Sequence, residues 1–166
     1  KKCYQTYLEL NHIHEYQCQI FVFKIDHYMS EITLLITENQ VNSLISSTKK
    51  DLPNESCSLL LGSIVDCEYR VKVLKKMNNI AHSENSFSME PDELIKVYQW
   101  ASSKQLDIIG VYHSHLDGAR PSATDLIFMR INPVIWLIYE LSGSRFRAFV
   151  LVQDNLKEVK IKISKG

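Results

Sequence analysis

Hydrophobic and polar positions divide the chain into an unpatterned stretch and a patterned one. Residues 1–28 mix apolar and polar side chains without a sustained period, so they read as an N-terminal extension of unclear role. From Met29 the pattern sharpens and predicts one domain over 29–166. Residues 32–36 read as a strand. Thr37 with Gln40 has the form of a capping box, and Val41, Leu44 and Ile45 then share one helical face in a segment that Pro53 ends. Residues 58–65 form an apolar, strand-like run, and Tyr69, Val71 and Val73 alternate with Arg70 and Lys72 as in a half-buried strand. A polar stretch covers 75–88. Pro91 suits the first turn of a second helix, whose apolar face is Leu94, Ile95, Tyr98 and Ala101. Residues 106–112 are another buried strand. Pro121 and Ser122 open a third helix that runs to about Ile131, and 134–141, 145–152 and 158–163 read as three late strands. The order is mixed, an α/β (α+β) domain with a mixed or antiparallel sheet.

Composition narrows what such a domain does. At 166 residues and 45% hydrophobic, the chain suits a single domain with a true core. Lys plus Arg number 19 and so do Asp plus Glu, so no charge excess draws it to nucleic acid or an anionic membrane. No apolar run approaches the roughly 18 residues a bilayer span needs, and 20–23 is too short for a signal peptide. Cys3, Cys18, Cys57 and Cys67 are scattered, which fits reduced thiols in a cytoplasmic protein better than a disulfide framework. Cys57 and Cys67 read as buried thiols, and Trp100 and Trp136 as core residues.

The chemistry concentrates in HSHLDGARPSATD, residues 113–125. His113 and His115 are two apart at a strand end, so both imidazoles point to one face and reach one ion. Ser122 has the character of an N-cap, which puts Asp125 at N3 of the following helix. Two imidazole nitrogens and a carboxylate oxygen, with a fourth position left to water, make an open zinc site of the catalytic kind. His12 and His14 repeat the spacing, but nothing resembling a third ligand follows except Cys18 and no buried strand precedes them, so they read as surface residues. Glu55, in LPNESCSLLLG at the mouth of a buried strand, is the candidate general base.

Together these pieces resemble the JAMM, or MPN-plus, metalloprotease family. Its pattern is an early Glu, then His-Ser/Thr-His, seven residues, Ser, two residues and Asp. Glu55, His113, Ser114, His115, Ser122 and Asp125 occupy those places. LPNESCSLLLG, NNIAHSENSFSMEPDEL and Asn132-Pro133 resemble flanking segments of the family. Three departures stand out: six residues separate His115 from Ser122, Leu116 replaces a common Pro, and Ser58 replaces a Gly. A tighter loop is then required, and Gly118 can supply it with positive φ. The resemblance implies a cytidine-deaminase-like three-layer fold, a Zn2+ cofactor held by His113, His115 and Asp125, Glu55 as proton shuttle and Ser122 as oxyanion donor. It also implies hydrolysis at the C-terminus of a ubiquitin-like β-grasp protein, whose tail lies along a strand edge. Only eight residues, 126–133, follow Asp125 before the next strand, which leaves little room for the second insertion of some eukaryotic members and points to the compact prokaryotic type. Two alternatives stay open: release of cysteine or another adduct from a sulfur-carrier protein, and a metal-free scaffold of the same fold.

Overall fold

The computed structural model describes residues 31–165; the expectations for residues 1–28, including His12, His14, Cys3 and Cys18, and for a start at Met29 lie outside the described residues. The elements follow as β1 (Thr33–Thr37), α1 (Glu38–Asp51), β2 (Cys57–Val65), β3 (Glu68–Met77), α2 (Pro91–Ser103), β4 (Asp107–His115), α3 (Ala123–Ile131), β5 (Ile135–Glu140), β6 (Arg145–Val152) and β7 (Asn155–Ser164). The expected class and element order form. The Thr37–Gln40 capping box is made in both directions, at 3.2 Å and 2.9 Å. Pro91 opens α2, which buries Val97 as well as Ala101.

The strands pair in the order β1-β3-β2-β4-β5-β6-β7. Pairing is parallel for β1–β3, β4–β5 and β1–β7, and antiparallel elsewhere. In place of the three-layer arrangement implied by the resemblance, the sheet closes into a barrel. Closure comes from β7, which pairs in parallel along β1 from Thr33↔Lys160 to Thr37↔Ser164 and is itself ten residues long rather than the six of 158–163. Closure removes most free edge. The β1–β3 pairing ends at Leu35↔Arg70, so the outer side of β3 beyond it, residues 72–77, has no paired strand among the described residues.

Two strands outrun their sequence pattern. β3 continues to Met77, into the polar stretch, because Cys57↔Met77 pairing extends the β2–β3 ladder regardless of side-chain polarity. β4 continues through His115 because β5 pairs with it in register to His115↔Glu140. The histidines therefore sit on the strand and not beyond it.

β2, β4 and β5 are buried almost continuously, as expected for strands covered on both faces. One face carries Leu59, Leu61, Val111, Trp136, Ile138 and Phe149, packed with Val97 and Ala101 of α2 and Met129 of α3. Tyr112 points the opposite way, and its hydroxyl bonds Thr48 of α1 at 2.5 Å. Trp136 is core, as expected, and Cys57 is fully buried. Trp100 is only half-buried, packed against the rim of the core with the Lys75 ammonium 3.9 Å over its ring.

Candidate metal centre and active site

Alternation along β4 puts His113 and His115 on the face that packs against α2 and α3. His113 is fully buried. Its ring lies 4.8 Å from that of Phe87 and meets Trp136 edge-on at 5.7 Å. His115 is nearer the surface, and its Nδ1 lies 3.0 Å from the Gly118 carbonyl oxygen. A carbonyl only accepts, so Nδ1 of His115 carries the hydrogen and Nε2 presents a lone pair inward. The two Nε2 atoms are 2.9 Å apart. Two lone pairs at that distance repel; a proton on His113 Nε2 or a shared cation relieves them.

Asp125 reaches the histidines because of a helix cap. Ser122 is the N-cap of α3, its Oγ accepting from Asp125 N at 3.1 Å, and Asp125 Oδ2 accepts from Ser122 N at 2.7 Å. This reciprocal capping box locks the carboxylate rotamer. The same Oδ2 lies 3.4 Å from His113 Nε2 and 3.4 Å from His115 Nε2. The tight six-residue loop is achieved as expected: Gly118 has φ of 78°. Ser122 is exposed, and since its Oγ only accepts in the cap, the O–H hydrogen remains available to a substrate oxygen.

Glu55 comes to the same place from the start of β2, with Oε1 3.8 Å from His115 Nε2. Its backbone is clasped on both sides by the 78–90 loop: Glu55 N donates to Ser83 O at 2.9 Å, and Asn79 Nδ2 donates to Glu55 O at 3.0 Å. Next in sequence, Ser56 N donates to Ser114 Oγ at 2.9 Å, and Ser114 N to Ser56 O at 3.0 Å. Ser114, between the histidines but on the opposite face, thus ties the Glu55 segment to the histidine strand.

Burial raises the Glu55 carboxyl to about 7, with His115 working against the shift and Asp125 adding to it. A carboxylate near neutrality can take a proton and return it. Burial also opposes charge on Asp125, but hydrogen bonds from His113, His115 and Ser122 outweigh it and hold the carboxyl well below its usual range. Burial pushes His113 down, towards the neutral form a metal ligand needs. For His115 the cost of burial is outweighed by Asp125 and the Gly118 carbonyl, which raise its pKa.

His113, His115 and Asp125 offer one ligand atom each, all within 4.8 Å of one another. Tetrahedral zinc with bonds of about 2.0–2.1 Å separates its ligand atoms by about 3.3–3.4 Å. Both histidine-to-Asp125 distances match that figure, and the distance between the histidines is a few tenths of an ångström shorter. Three donors leave a fourth position, the arrangement of a catalytic zinc and not of a structural one. The donor set therefore fits Zn2+.

His113, His115 and Asp125 converge, Glu55 Oε1 comes within 3.8 Å of His115 Nε2, and Ser122 is joined to the group through its capping bonds with Asp125. Sequence reasoning passed over Asn79, Phe87 and Glu140 as individual residues. Asn79 and Phe87 were visible only as parts of a familiar segment. Glu140 gave a signal of its own, a carboxylate ending the apolar run VIWLIYE.

Comparison with known proteins agrees with this geometry. Residues 37–152 match the family described as prokaryotic homologs of the JAB domain. A protein named desampylase from Pyrococcus furiosus is 32% identical over 131 residues, covering 78% of this chain and 89% of that one. The solution structure of a Desulfitobacterium hafniense protein superposes with a TM-score of 0.71 at 27% identity, covering 80% of this chain and 94% of that one. A Salinibacter ruber protein gives 0.60 at 28% identity, covering 78% and 90%. The chain belongs to the prokaryotic JAB-domain family, part of the JAMM/MPN-plus group.

Proposed function

We propose that this domain is a zinc isopeptidase that cleaves the bond at the C-terminus of a ubiquitin-like β-grasp protein. The observation that carries it is the convergence of His113, His115 and Asp125 with Glu55 Oε1 held 3.8 Å from His115 Nε2. Similarity to a protein named desampylase supports an enzyme over a scaffold. When bound, zinc supplies Lewis acidity towards a carbonyl oxygen and acidity to a water. His113, His115 and Asp125 are its ligands. Glu55 takes the proton released as water attacks and passes it to the departing lysine amine, a role its near-neutral carboxyl suits. The Ser122 hydroxyl donates to the developing oxyanion. The open side of β3 over residues 72–77 begins beside the Glu55 segment, since Met77 pairs with Cys57. It is the strand edge along which an extended tail would add.

The test uses a β-grasp protein ending in Gly-Gly, joined through its terminal carboxyl to a lysine ε-amine, with release followed by mass spectrometry. A parallel substrate carries cysteine on the same carboxyl. The zinc-loaded protein should release lysine faster than cysteine. Glu55→Gln should keep its zinc and lose roughly 100-fold or more in turnover, the scale of acid–base catalysis. Near-normal turnover in that variant removes Glu55 from the role; preference for the cysteine substrate favours the adduct-releasing reading.

A further inference from the structure

We propose that Glu140 is a positioning residue for the metal centre. It grips the Gly118 backbone so that the Gly118 carbonyl accepts the Nδ1–H of His115, which keeps Nε2 of His115 for the metal. The inference rests on the zinc reading above.

Glu140 ends β5, directly opposite His115 in the parallel β4–β5 register. Its side chain is only 5% exposed. Oε1 accepts Gly118 N–H at 3.2 Å and the Ser142 hydroxyl at 3.1 Å. Oε2 accepts from Arg145, Nε at 2.8 Å and an Nη at 2.6 Å. Arg145 holds the Glu140 carboxyl below the ordinary carboxylate range, so the group is an acceptor at neutral pH. The following turn is built around this pair. A Cβ at Gly143 would stand 3.2 Å from both Glu140 Oε2 and Arg145 Nε, tighter than ordinary side-chain contact.

The network has a direction. Backbone bonds from Leu141 N to His115 O at 3.0 Å and from Ser142 N to Leu116 O at 3.1 Å carry the backbone contact one residue past the histidine. There the chain must turn back towards α3 within six residues, and among the described residues no backbone–backbone bond reaches Gly118. Glu140 supplies that missing contact. Gly118 then offers its N–H to Glu140 and its C=O to His115. A loop held at one group and read at the other fixes the imidazole tautomer. Metal-binding histidines depend on such partners, and loss of one weakens binding by about 10- to 100-fold. An apolar residue would suffice at this place for packing alone, since the five preceding residues of β5 are apolar and buried.

The experiment compares the unaltered chain with Glu140→Ala, Glu140→Asp and Glu140→Gln. Gln keeps an acceptor at the same reach; Asp keeps the charge but is one methylene short of Gly118 N–H. Two readouts are taken: zinc affinity by competition with a chelating dye, and the His115 tautomer by nitrogen-15 NMR of the metal-free protein. Ala and Asp should weaken zinc about 10- to 100-fold and mix the tautomers, while Gln stays within about 3-fold with Nδ1–H dominant. A merely structural Glu140 would lower the melting temperature in Ala and Asp and leave tautomer and affinity unmoved. That result overturns the proposal, whether seen in both variants or in Asp alone where Ala does not fold. Because the tautomer is read without metal, absence of stoichiometric zinc in the unaltered chain sinks the zinc reading separately.

Discussion

Asn79→Ala should separate the base from the metal. The Asn79 side chain makes four hydrogen bonds: Nδ2 donates to Glu55 O at 3.0 Å and Ser86 O at 3.1 Å, and Oδ1 accepts from Ala81 N at 3.0 Å and Ser88 N at 3.1 Å. Each such bond is worth about 0.5–1.5 kcal/mol net, and two of the four are at exposed positions, so removing all four costs about 2–4 kcal/mol. For a domain of this size that is a fall of roughly 10 °C in melting temperature. The effect on catalysis has a separate origin. Ser83, which accepts from Glu55 N, is in the same loop, so both grips on the Glu55 backbone loosen together. A misplacement of about 1 Å can cost about 100-fold in rate. His113, His115 and Asp125 stand on β4 and α3, and none is a hydrogen-bond partner of Asn79. The expected outcome is turnover lowered about 10- to 100-fold with zinc affinity unchanged within about 3-fold. Asn79→Asp keeps the two accepted bonds but sets an acceptor against the Glu55 and Ser86 carbonyls, so it should melt nearer the parent and lose as much activity. Scanning calorimetry, chelator competition and the isopeptide assay read the three quantities. Activity within about 2-fold of the parent in both variants, with the melting temperature lowered as expected, would refute the idea that this loop aims Glu55.

Four further outcomes follow from the same geometry. His115→Ala should abolish stoichiometric zinc binding, checked by metal analysis of purified protein. Gly118→Val should weaken zinc although the position has open space around it, because a β-branched residue resists φ of 78°; Gly118→Asn, which tolerates that conformation, should bind nearly as well. Ser122→Ala should lower stability by about 1 kcal/mol through loss of the cap and lower turnover beyond that, read by denaturant melts beside the isopeptide assay. A chain beginning at Met29 should fold and keep its zinc, and a sharp loss of solubility or melting temperature would show that the preceding residues belong to the core.

Local signals were read well from the sequence because their physics is local. The Thr37–Gln40 box, Pro91 at a helix start, and Ser122 with Asp125 each involve partners within three residues, so composition alone reveals them. The same holds for His113 and His115, whose shared face follows from strand alternation. Long-range pairing was hidden for the converse reason. Nothing in NLKEVKIKIS declares that its partner is β1, well over a hundred residues earlier, yet that pairing closes the sheet. The polar 75–77 segment looked like loop because its strand character comes from the Cys57↔Met77 ladder and not from its side chains.

The site itself divides along the same line. Zinc coordination needs three atoms within a few ångströms, and the two histidines with a capped helix start supply them from thirteen neighbouring residues. General-base chemistry needs a fourth group brought from elsewhere, and Glu55 is nearly sixty residues from His113. Its place at the metal was suggested by a familiar segment, but what holds it there is dispersed: the Asn79 loop on one side and Ser114 on the other. Ser114 is the more telling of these two. Between two histidines a small hydroxyl looks like a spacer, yet alternation turns it to the other face, where it bonds Ser56 and sets the register between β4 and the Glu55 segment. The His-Ser-His triplet thus faces both ways, its imidazoles towards Asp125 and Glu55 and its hydroxyl towards the Ser56 backbone. That double duty accounts for a hydrogen-bonding side chain between the two histidines.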